Sequence, residues 1–438
     1  MERTLTADAV NKIGETILLK GWVDTRRDHG KIIFIDLRDR TGIVQVVGTK
    51  ELLGSLRPEF AVAIEGTVKK RPEKMVNAKI PSGAVEVAVK SSAVIAEAAQ
   101  LPFDMGVKDL PVELPILLDN RSLTLKHKKI QKIFQVQATL ADEFRKASYA
   151  LSCTEIFIPT IAAGATEGGA EVFKVDYYGH TAFMTQSPQL YKQIMVGVYE
   201  RVFTIAKAYR AEPSVTTRHL SESTQMDIEI GFIESFEELL DAIEFVGTSM
   251  VREASIKHAD ILSEFNVETP LVPHKVPRLK LREAQQIITE RTGRDVSKEN
   301  DLNPEDEREI CLWAKEKHAS DFVTITHYPT KKRAFYTMPD PKDPEYSLSY
   351  DLLFRGLEIL SGSQRIHNYD QLVAKMKEKG VNPENFGMYL MAFRYGMPEE
   401  GGFSFGLERL TMKLLELGNV REASLFPRDM ERVDERLS

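Results

Sequence analysis

Between Ala208 and Phe232 the chain reads "AYRAEPSVTTRHLSESTQMDIEIGF", two strand-like runs joined by a polar loop. Alternation places Ala208, Arg210 and Glu212 on one side of the first run and Tyr209 and Ala211 on the other. In the second run Asp227 and Glu229 share a side, opposite Met226, Ile228, Ile230 and Phe232. Period-two alternation of this kind marks half-buried strands. The loop adds Arg218 and His219. Two arginines and a histidine around one loop suit a polyphosphate: guanidinium groups offer planar donors to phosphate oxygens, and fixed cations stabilise charge in phosphoryl transfer. A surface hairpin with interstrand ion pairs, each worth under about 1 kcal/mol, would carry the same residues. The hairpin alone leaves both readings open.

Three further stretches carry chemistry. In "SYDLLFRGLEILSGSQR", Ser349 to Arg365, Asp351 and Glu358 lie on adjacent strand-like runs and are followed by Ser361 and Arg365. Two such carboxylates hold magnesium through oxygen when they face one site, or are solvated when they do not. In "GGFSFGLERLTMKLLEL", Leu407, Leu410, Leu414 and Leu417 form a helical stripe, Gly406 opens the helix and Arg409 sits in its first turn. Arg409 serves a site only if it points away from that stripe. In "TQSPQLYKQ", Ser187, Gln189 and Lys192 stand at a helix start, and the spacing puts Gln189 and Lys192 on one face. A lysine and a glutamine there would bind a small carboxylate, or belong to an ordinary capped helix. The preceding "ATEGGAE" suits a loop that closes over a ligand.

The elements that must position these residues fall into two parts. From about Glu15 to Val94 short β segments are separated by the turn signals "RDHGK", "DRTG" and "IPSG". About five strands in this length predict a small barrel of the OB type over residues 1–100. "LPFDMGVKDLPVELPILL" has three prolines and no helical period, so residues 101–129 read as a linker. Over 130–438 helices and strands alternate without βαβ regularity or a Gly-rich phosphate loop, which predicts an α+β domain on an antiparallel sheet with helices packed against it. Its first helix is marked by Ile130, Ile133, Phe134, Leu140, Ala141 and Phe144.

A chain of 438 residues with 42% hydrophobic and 28% charged residues is an ordinary multi-domain globular protein. No apolar run approaches membrane-spanning length, and "MERTLTADAV" does not read as a signal peptide. Two distant cysteines, Cys153 and Cys311, argue for a reducing cytoplasm and against a cysteine zinc site. A net charge of −7 does not announce a nucleic-acid binder. Basic runs at Lys20–Arg40, Lys69–Lys74 and Arg121–Lys132 nevertheless predict a phosphate-facing N-terminal side.

Taken in order, "IFIPTI", "AYRAE…TTRHL…DIEIGF" and "GGFSFGLERL" resemble the three motifs of class II aminoacyl-tRNA synthetases, a resemblance that covers nearly the whole chain. "TEGGAE", "TQSPQLYKQ", "DIEIGF", "SGSQR" and "AFRYGMPEEGGF" are similar to aspartyl-tRNA synthetases of the compact archaeal and eukaryotic type. "GWVDTRRDHGKIIFIDLRDRTGIVQVV" resembles their anticodon-binding OB domain. Departures are Pro213 and Val215 in the hairpin loop, Leu360 and Ser363 near "SGSQR", and Asp24 after "GWV".

The resemblance implies ATP as a substrate, magnesium, L-aspartate, tRNA(Asp) as partner with tRNA(Asn) left open as a second acceptor, and a cytoplasmic homodimer joined through motif one. For ATP it implies Arg210, Glu212, Arg218, His219, Leu220, Glu358, Gly406 and Arg409, with Arg210 and Arg409 catalytic. For aspartate it implies Glu167, Ser187, Gln189, Lys192, Arg210, Asp227, Ser361 and Arg365. Asp351, Glu358 and Ser361 would hold magnesium, and Arg26, Phe34 and Gln45 would read the anticodon. By residue type alone, Phe34 reads as barrel core in preference to an anticodon contact. Two alternatives stand beside this reading, an asparaginyl enzyme and an inert synthetase-like RNA-binding protein. Lys192 argues against the first, and the full set of phosphate-handling residues against the second.

Overall fold

The computed structural model describes residues 1–78, 80–164, 171–213 and 216–437. It divides into two compact units, Met1–Val112 and Glu113–Ser438.

In the first unit β1 (Thr16–Asp28), β2 (Ile32–Asp39), β3 (Gly42–Thr49), β4 (Ala61–Lys70) and β5 (Val85–Ala96) close a barrel in the order β1-β2-β3-β5-β4. Alternation in "IIFIDLRD" buries Ile33, Ile35 and Leu37 inside it and turns Phe34, Asp36 and Arg38 outward. Phe34 is therefore an outer-face residue and not barrel core. Gly42, at φ +141°, makes the "DRTG" turn that joins β2 to β3. Asp39 beside it accepts hydrogen bonds from the backbone and hydroxyl of Thr6, at 2.8 and 2.7 Å, and so ties down the N-terminal segment.

The strands of the second unit are β6 (Thr154–Glu155), β7 (Ile161–Ala162), β8 (Lys174–Tyr177), β9 (His180–Met184), β10 (Arg201–Tyr209), β11 (Glu222–Gly231), β12 (Arg278–Lys280), β13 (Phe322–Thr326), β14 (Pro339–Asp340), β15 (Asp343–Ser347), β16 (Ser349–Phe354), β17 (Leu357–Gln364) and β18 (Glu400–Gly406). Eight of them form one sheet in the order β12-β13-β16-β17-β18-β11-β10-β6. Its interior pairs are antiparallel, as expected, while the β12–β13 and β6–β10 pairs at the two edges are parallel. One face is covered by the helices Lys128–Ala150, Phe236–Lys257 and Leu407–Leu414 over Phe144, Phe203, Met226, Ile228, Leu352, Phe403, Phe405 and Leu410. Full burial of a side chain of this size contributes about 1.5–3 kcal/mol.

Three local expectations change. The stretch read as a linker carries helices Leu114–Asp119 and Arg121–Thr124; Pro115 sits in the first turn of the former, where the missing N–H costs nothing. Phe232 lies beyond the end of β11 at φ +54° and is exposed, so it does not continue the apolar side of that strand. The basic run from Arg121 is partly structural. Arg121 is buried and donates to the carbonyls of Leu425 and Ser424, and Lys132 pairs with Glu264. Much of the Lys20–Arg40 run is likewise paired, Arg27 with Asp36 and Arg38 with Asp24 and Glu59.

Candidate active site

The uncovered face of the sheet is polar because four strands place polar residues in register. Asp351 pairs with Ser361, Ser361 with Ser404, and Ser404 with Asp227, which forms one row across β16, β17, β18 and β11. The next row runs Ser349, Ser363, Gly402, Glu229. Directly opposed residues share a face, and Asp227, Ser361, Ser363 and Ser404 from the two rows line one cleft, a cavity of about 400 Å³. Gly402 leaves room for the Glu229 side chain: a Cβ there would lie 2.1 Å from Glu229 Oε2.

At one end the helix Gln189–Tyr199 lays Gln189, Lys192 and Gln193 against the sheet. Lys192 Nζ lies 2.9 Å from Asp227 Oδ1 and 3.0 Å from Glu229 Oε2, and these three side chains are no more than 2% exposed. Arg365 closes the same end. Its Nε donates to Glu229 Oε1 at 2.7 Å, its Nη1 to Ser363 Oγ at 2.6 Å, and its Nη2 to Gln189 Oε1 at 3.1 Å. Burial by itself would raise the Glu229 carboxyl, but the charges of Arg365 and Lys192 override it and hold the group below its ordinary value. Asp227 is pushed up by burial, against Lys192 and the Ser404 hydroxyl that donates to it at 2.9 Å. Ser187 accepts from the Gln189 backbone at 3.3 Å.

The other end is rich in cations. β10 stops at Tyr209, so Arg210 and Glu212 leave the strand and stand at the mouth of the cleft, where the Arg210 backbone N–H donates to Ser221. Arg218, His219 and Leu220 line the same wall. Arg218 Nη1 is 3.0 Å from Glu307 Oε2, and His219 Nδ1 is 2.5 Å from the Thr216 hydroxyl. Burial lowers the His219 imidazole, and the Arg409 charge lowers it further. Gly406 ends β18 and caps the helix Leu407–Leu414; Leu407, Leu410 and Leu414 enter the core while Arg409 faces the cleft, 3.7 Å from Glu358 Oε1.

Glu358 is pushed up to about 7 by desolvation and by Asp351, although its side chain keeps some exposure. Asp351 lies behind the cleft wall. Its Oδ2 accepts from Arg333 at 2.9 Å, and its buried Oδ1 accepts no hydrogen bond. Arg333 also donates to the Ser361 hydroxyl at 3.3 Å. Two carboxylates and a hydroxyl with an unused oxygen among them fit a hard, oxygen-ligated cation. Among the described residues no group of three or more His, Cys, Asp or Glu side chains is placed to hold a metal ion.

On the barrel, Phe34 pairs with Arg27 and Val47, and Asp36 with Gln45. Arg27 donates to Gln45 Oε1 at 3.2 Å, and His29 stacks edge-on to Phe34 with ring centroids 5.4 Å apart. Phe34 and Gln45 thus share one outer face with Arg27. Arg26 is not brought to them; it lies opposite Ile35 and pairs with Asp28 at 2.9 Å.

Residues 113–430 match the family model for class II tRNA synthetases of the D, K and N groups. The chain is a class II tRNA synthetase. Residues 17–92 match the OB-fold nucleic acid binding domain of anticodon-binding type. An aspartate–tRNA(Asp/Asn) ligase of Thermus thermophilus is 42% identical over 98% of this chain and 99% of its own length. An aspartate–tRNA(Asp) ligase of Pyrococcus furiosus is 38% identical over 96% of each. The solved asparaginyl-tRNA synthetase of Pyrococcus horikoshii with asparaginyl-adenylate is 31% identical, with a TM-score of 0.87 over 97% of both chains.

Within this synthetase the cleft gathers Ser187, Gln189, Lys192, Arg210, Glu212, Arg218, His219, Leu220, Asp227, Glu358, Ser361, Arg365, Gly406 and Arg409. Glu167 lies outside the described residues. Sequence reasoning missed Glu229, Glu307 and Arg333. Glu229 shares the Asp227 side of its strand, so alternation pointed to it. Glu307 and Arg333 come from a distant helix and an irregular segment, with no local signal.

Proposed function

We propose that the chain is an aspartate–tRNA ligase: it activates L-aspartate with ATP, releases pyrophosphate, and transfers aspartate to the terminal adenosine of tRNA(Asp). The observation that carries this reading is the pair of cations, Lys192 and Arg365, fixed by Glu229 at the closed end of the cleft. An acidic side chain is matched there by charge-assisted donors.

The ATP phosphates would lie across Arg210, Arg218, His219 and Arg409, with Glu212 and Leu220 beside the base. Asp351, Glu358 and Ser361 would hold magnesium, which supplies charge neutralisation on the phosphates when bound. The aspartate α-carboxylate attacks the α-phosphorus in line, so no protein base is required and the residues act by positioning and charge stabilisation. Arg210, at the mouth of the cleft, would bridge substrate carboxylate and α-phosphate. The tRNA hydroxyl then attacks the mixed anhydride, expelling AMP. The outer face bearing Phe34, Arg27 and Gln45 would read unpaired anticodon bases by stacking and edge contacts.

A homodimer fits the apolar surface at the end of the sheet that carries motif one. Phe157 is 90% exposed, and Val198, Tyr199 and Phe232 stand exposed where β10 begins and β11 ends. Two free, buried cysteines suit a cytoplasmic enzyme, and among the described residues no helix is long and apolar enough to cross a membrane.

The test is charging of tRNA(Asp) and tRNA(Asn) transcripts with labelled aspartate, alongside ATP–pyrophosphate exchange. Exchange with aspartate and charging of tRNA(Asp) support the reading, and charging of both transcripts would add the second acceptor. Exchange with asparagine alone would replace it with an asparaginyl enzyme, and no exchange at all would leave an RNA-binding protein.

A further inference from the structure

Behind the two cations lies a third carboxyl group. Glu400 opens β18 and pairs with Gly231 at the end of β11, and its carbonyl accepts from the Arg365 backbone at 2.8 Å. Its side chain is fully buried. Oε1 accepts from Gln193 Nε2 at 2.8 Å, and Gln193 Oε1 in turn accepts from the Tyr389 hydroxyl at 3.0 Å. Oε2 is buried with no hydrogen-bond partner. Among the described residues no lysine, arginine or histidine forms an ion pair with it; the neighbouring cations, Lys192 and Arg365, are engaged by Asp227 and Glu229.

An ionised carboxylate left unpaired in such a place is far more costly than a neutral acid with one unmatched oxygen. The charge count points the same way. With Asp227 and Glu229 ionised, two carboxylates cancel Lys192 and Arg365. A third negative charge would leave the end of the cleft anionic before any acidic side chain arrived.

We propose that Glu400 is a positioning residue of the amino-acid pocket: a neutral carboxylic acid that orients Gln193 while keeping the charge behind Lys192 and Arg365 balanced, so that an anionic side chain is accepted. Burial and then the adjacent Glu229 charge both push its proton affinity well above that of an ordinary carboxyl, while Gln193, Arg365 and Lys192 act in the opposite sense. Glu400 reaches the substrate only through its neighbours and does not line the cleft.

The inference rests on aspartate being the substrate, and the experiment separates the two. Aspartate-dependent exchange is measured for the full-length wild type, Glu400→Ala and Glu400→Gln, and infrared spectra are recorded at pH 8 without substrate. Glu400→Ala should raise KM for aspartate about tenfold with little change in KM for ATP, and Glu400→Gln should recover most of that loss. The wild-type spectrum should contain a protonated-carboxyl stretch that shifts in D2O and is absent from Glu400→Gln. Identical carboxyl regions in the two spectra, a Glu400→Gln as impaired as Glu400→Ala, or a Glu400→Gln that does not fold would each overturn the proposal. A wild type that shows the band but no exchange with aspartate would instead sink the substrate assignment.

Discussion

Glu229 stands between the two cations of the cleft, 3.0 Å from Lys192 Nζ and 2.7 Å from Arg365 Nε, and has no exposure to solvent. Among the described residues it is the carboxylate that pairs with both cations, whereas Asp227 pairs with Lys192 alone. Glu229→Gln leaves both undercompensated, and loss of one partner of a buried pair costs about 3–5 kcal/mol. Urea unfolding should show a decrease of that order, together with loss of aspartate-dependent exchange. A variant as stable as the wild type would mean that Asp227 alone neutralises the pair.

Lys192→Leu separates binding of the two substrates. Lys192 touches the wall opposite the phosphate-facing arginines, so the variant should lose aspartate activation while equilibrium dialysis still detects ATP binding. Unchanged aspartate kinetics would remove Lys192 from the pocket.

Phe34→Ala should act only on the nucleic-acid step. An aromatic platform for one base contributes roughly 1–3 kcal/mol, so KM for tRNA should rise by about tenfold or more while pyrophosphate exchange stays at the wild-type rate. The barrel itself should survive, because Phe34 lies outside its core. A parallel fall in both activities would indicate a folding defect instead.

Asp39 makes barrel stability depend on acid. Burial would raise its carboxyl, but hydrogen bonds from Thr6 and Thr41 outweigh that and lower it. A carboxylate depressed in the folded state contributes above its ordinary range and loses that contribution as pH falls through the folded value. Acid titration should therefore destabilise the wild type more steeply than Asp39→Asn, whose stability is lower at neutral pH and flatter below pH ~4. Parallel acid curves would count against this.

Phe157→Asp places a charge on the apolar end of the sheet. Sedimentation should show a dimer for the wild type at micromolar concentration and a monomer for the variant. A monomeric wild type would leave the 90% exposure of Phe157 unexplained.

Period-two alternation made the barrel and the β10–β11 hairpin legible in the sequence, and three-and-four spacing did the same for the leucine stripe, because each is a local pattern. The same parity in "IIFIDLRD" distinguishes Phe34 from Ile33 and Ile35, so its outward position was readable there. The helix at Leu114–Asp119 was hidden by a proline that a first turn tolerates, and Arg121–Thr124 is only four residues, too short to show a period. Glu307 and Arg333 could not be found from spacing, since only tertiary packing brings them to Arg218 and Asp351. Glu400 was equally opaque: nothing in "PEEGG" distinguishes a buried carboxyl from a solvated one.

The row Asp351, Ser361, Ser404, Asp227 gives the cleft a particular birth order. Its members lie far apart along the chain, and β18 is the strand inserted between β17 and β11. During N-to-C synthesis the cation-holding strand β11 is made long before the strand that completes its neighbourhood. Until β18 docks, Asp227 lacks Ser404 and Glu229 lacks the gap left by Gly402. A nascent or truncated chain that ends before Glu400 would have a folded barrel able to meet RNA and no place to make an adenylate. Nucleic-acid recognition would thus mature first, and catalytic competence would arrive with the last strand of the sheet.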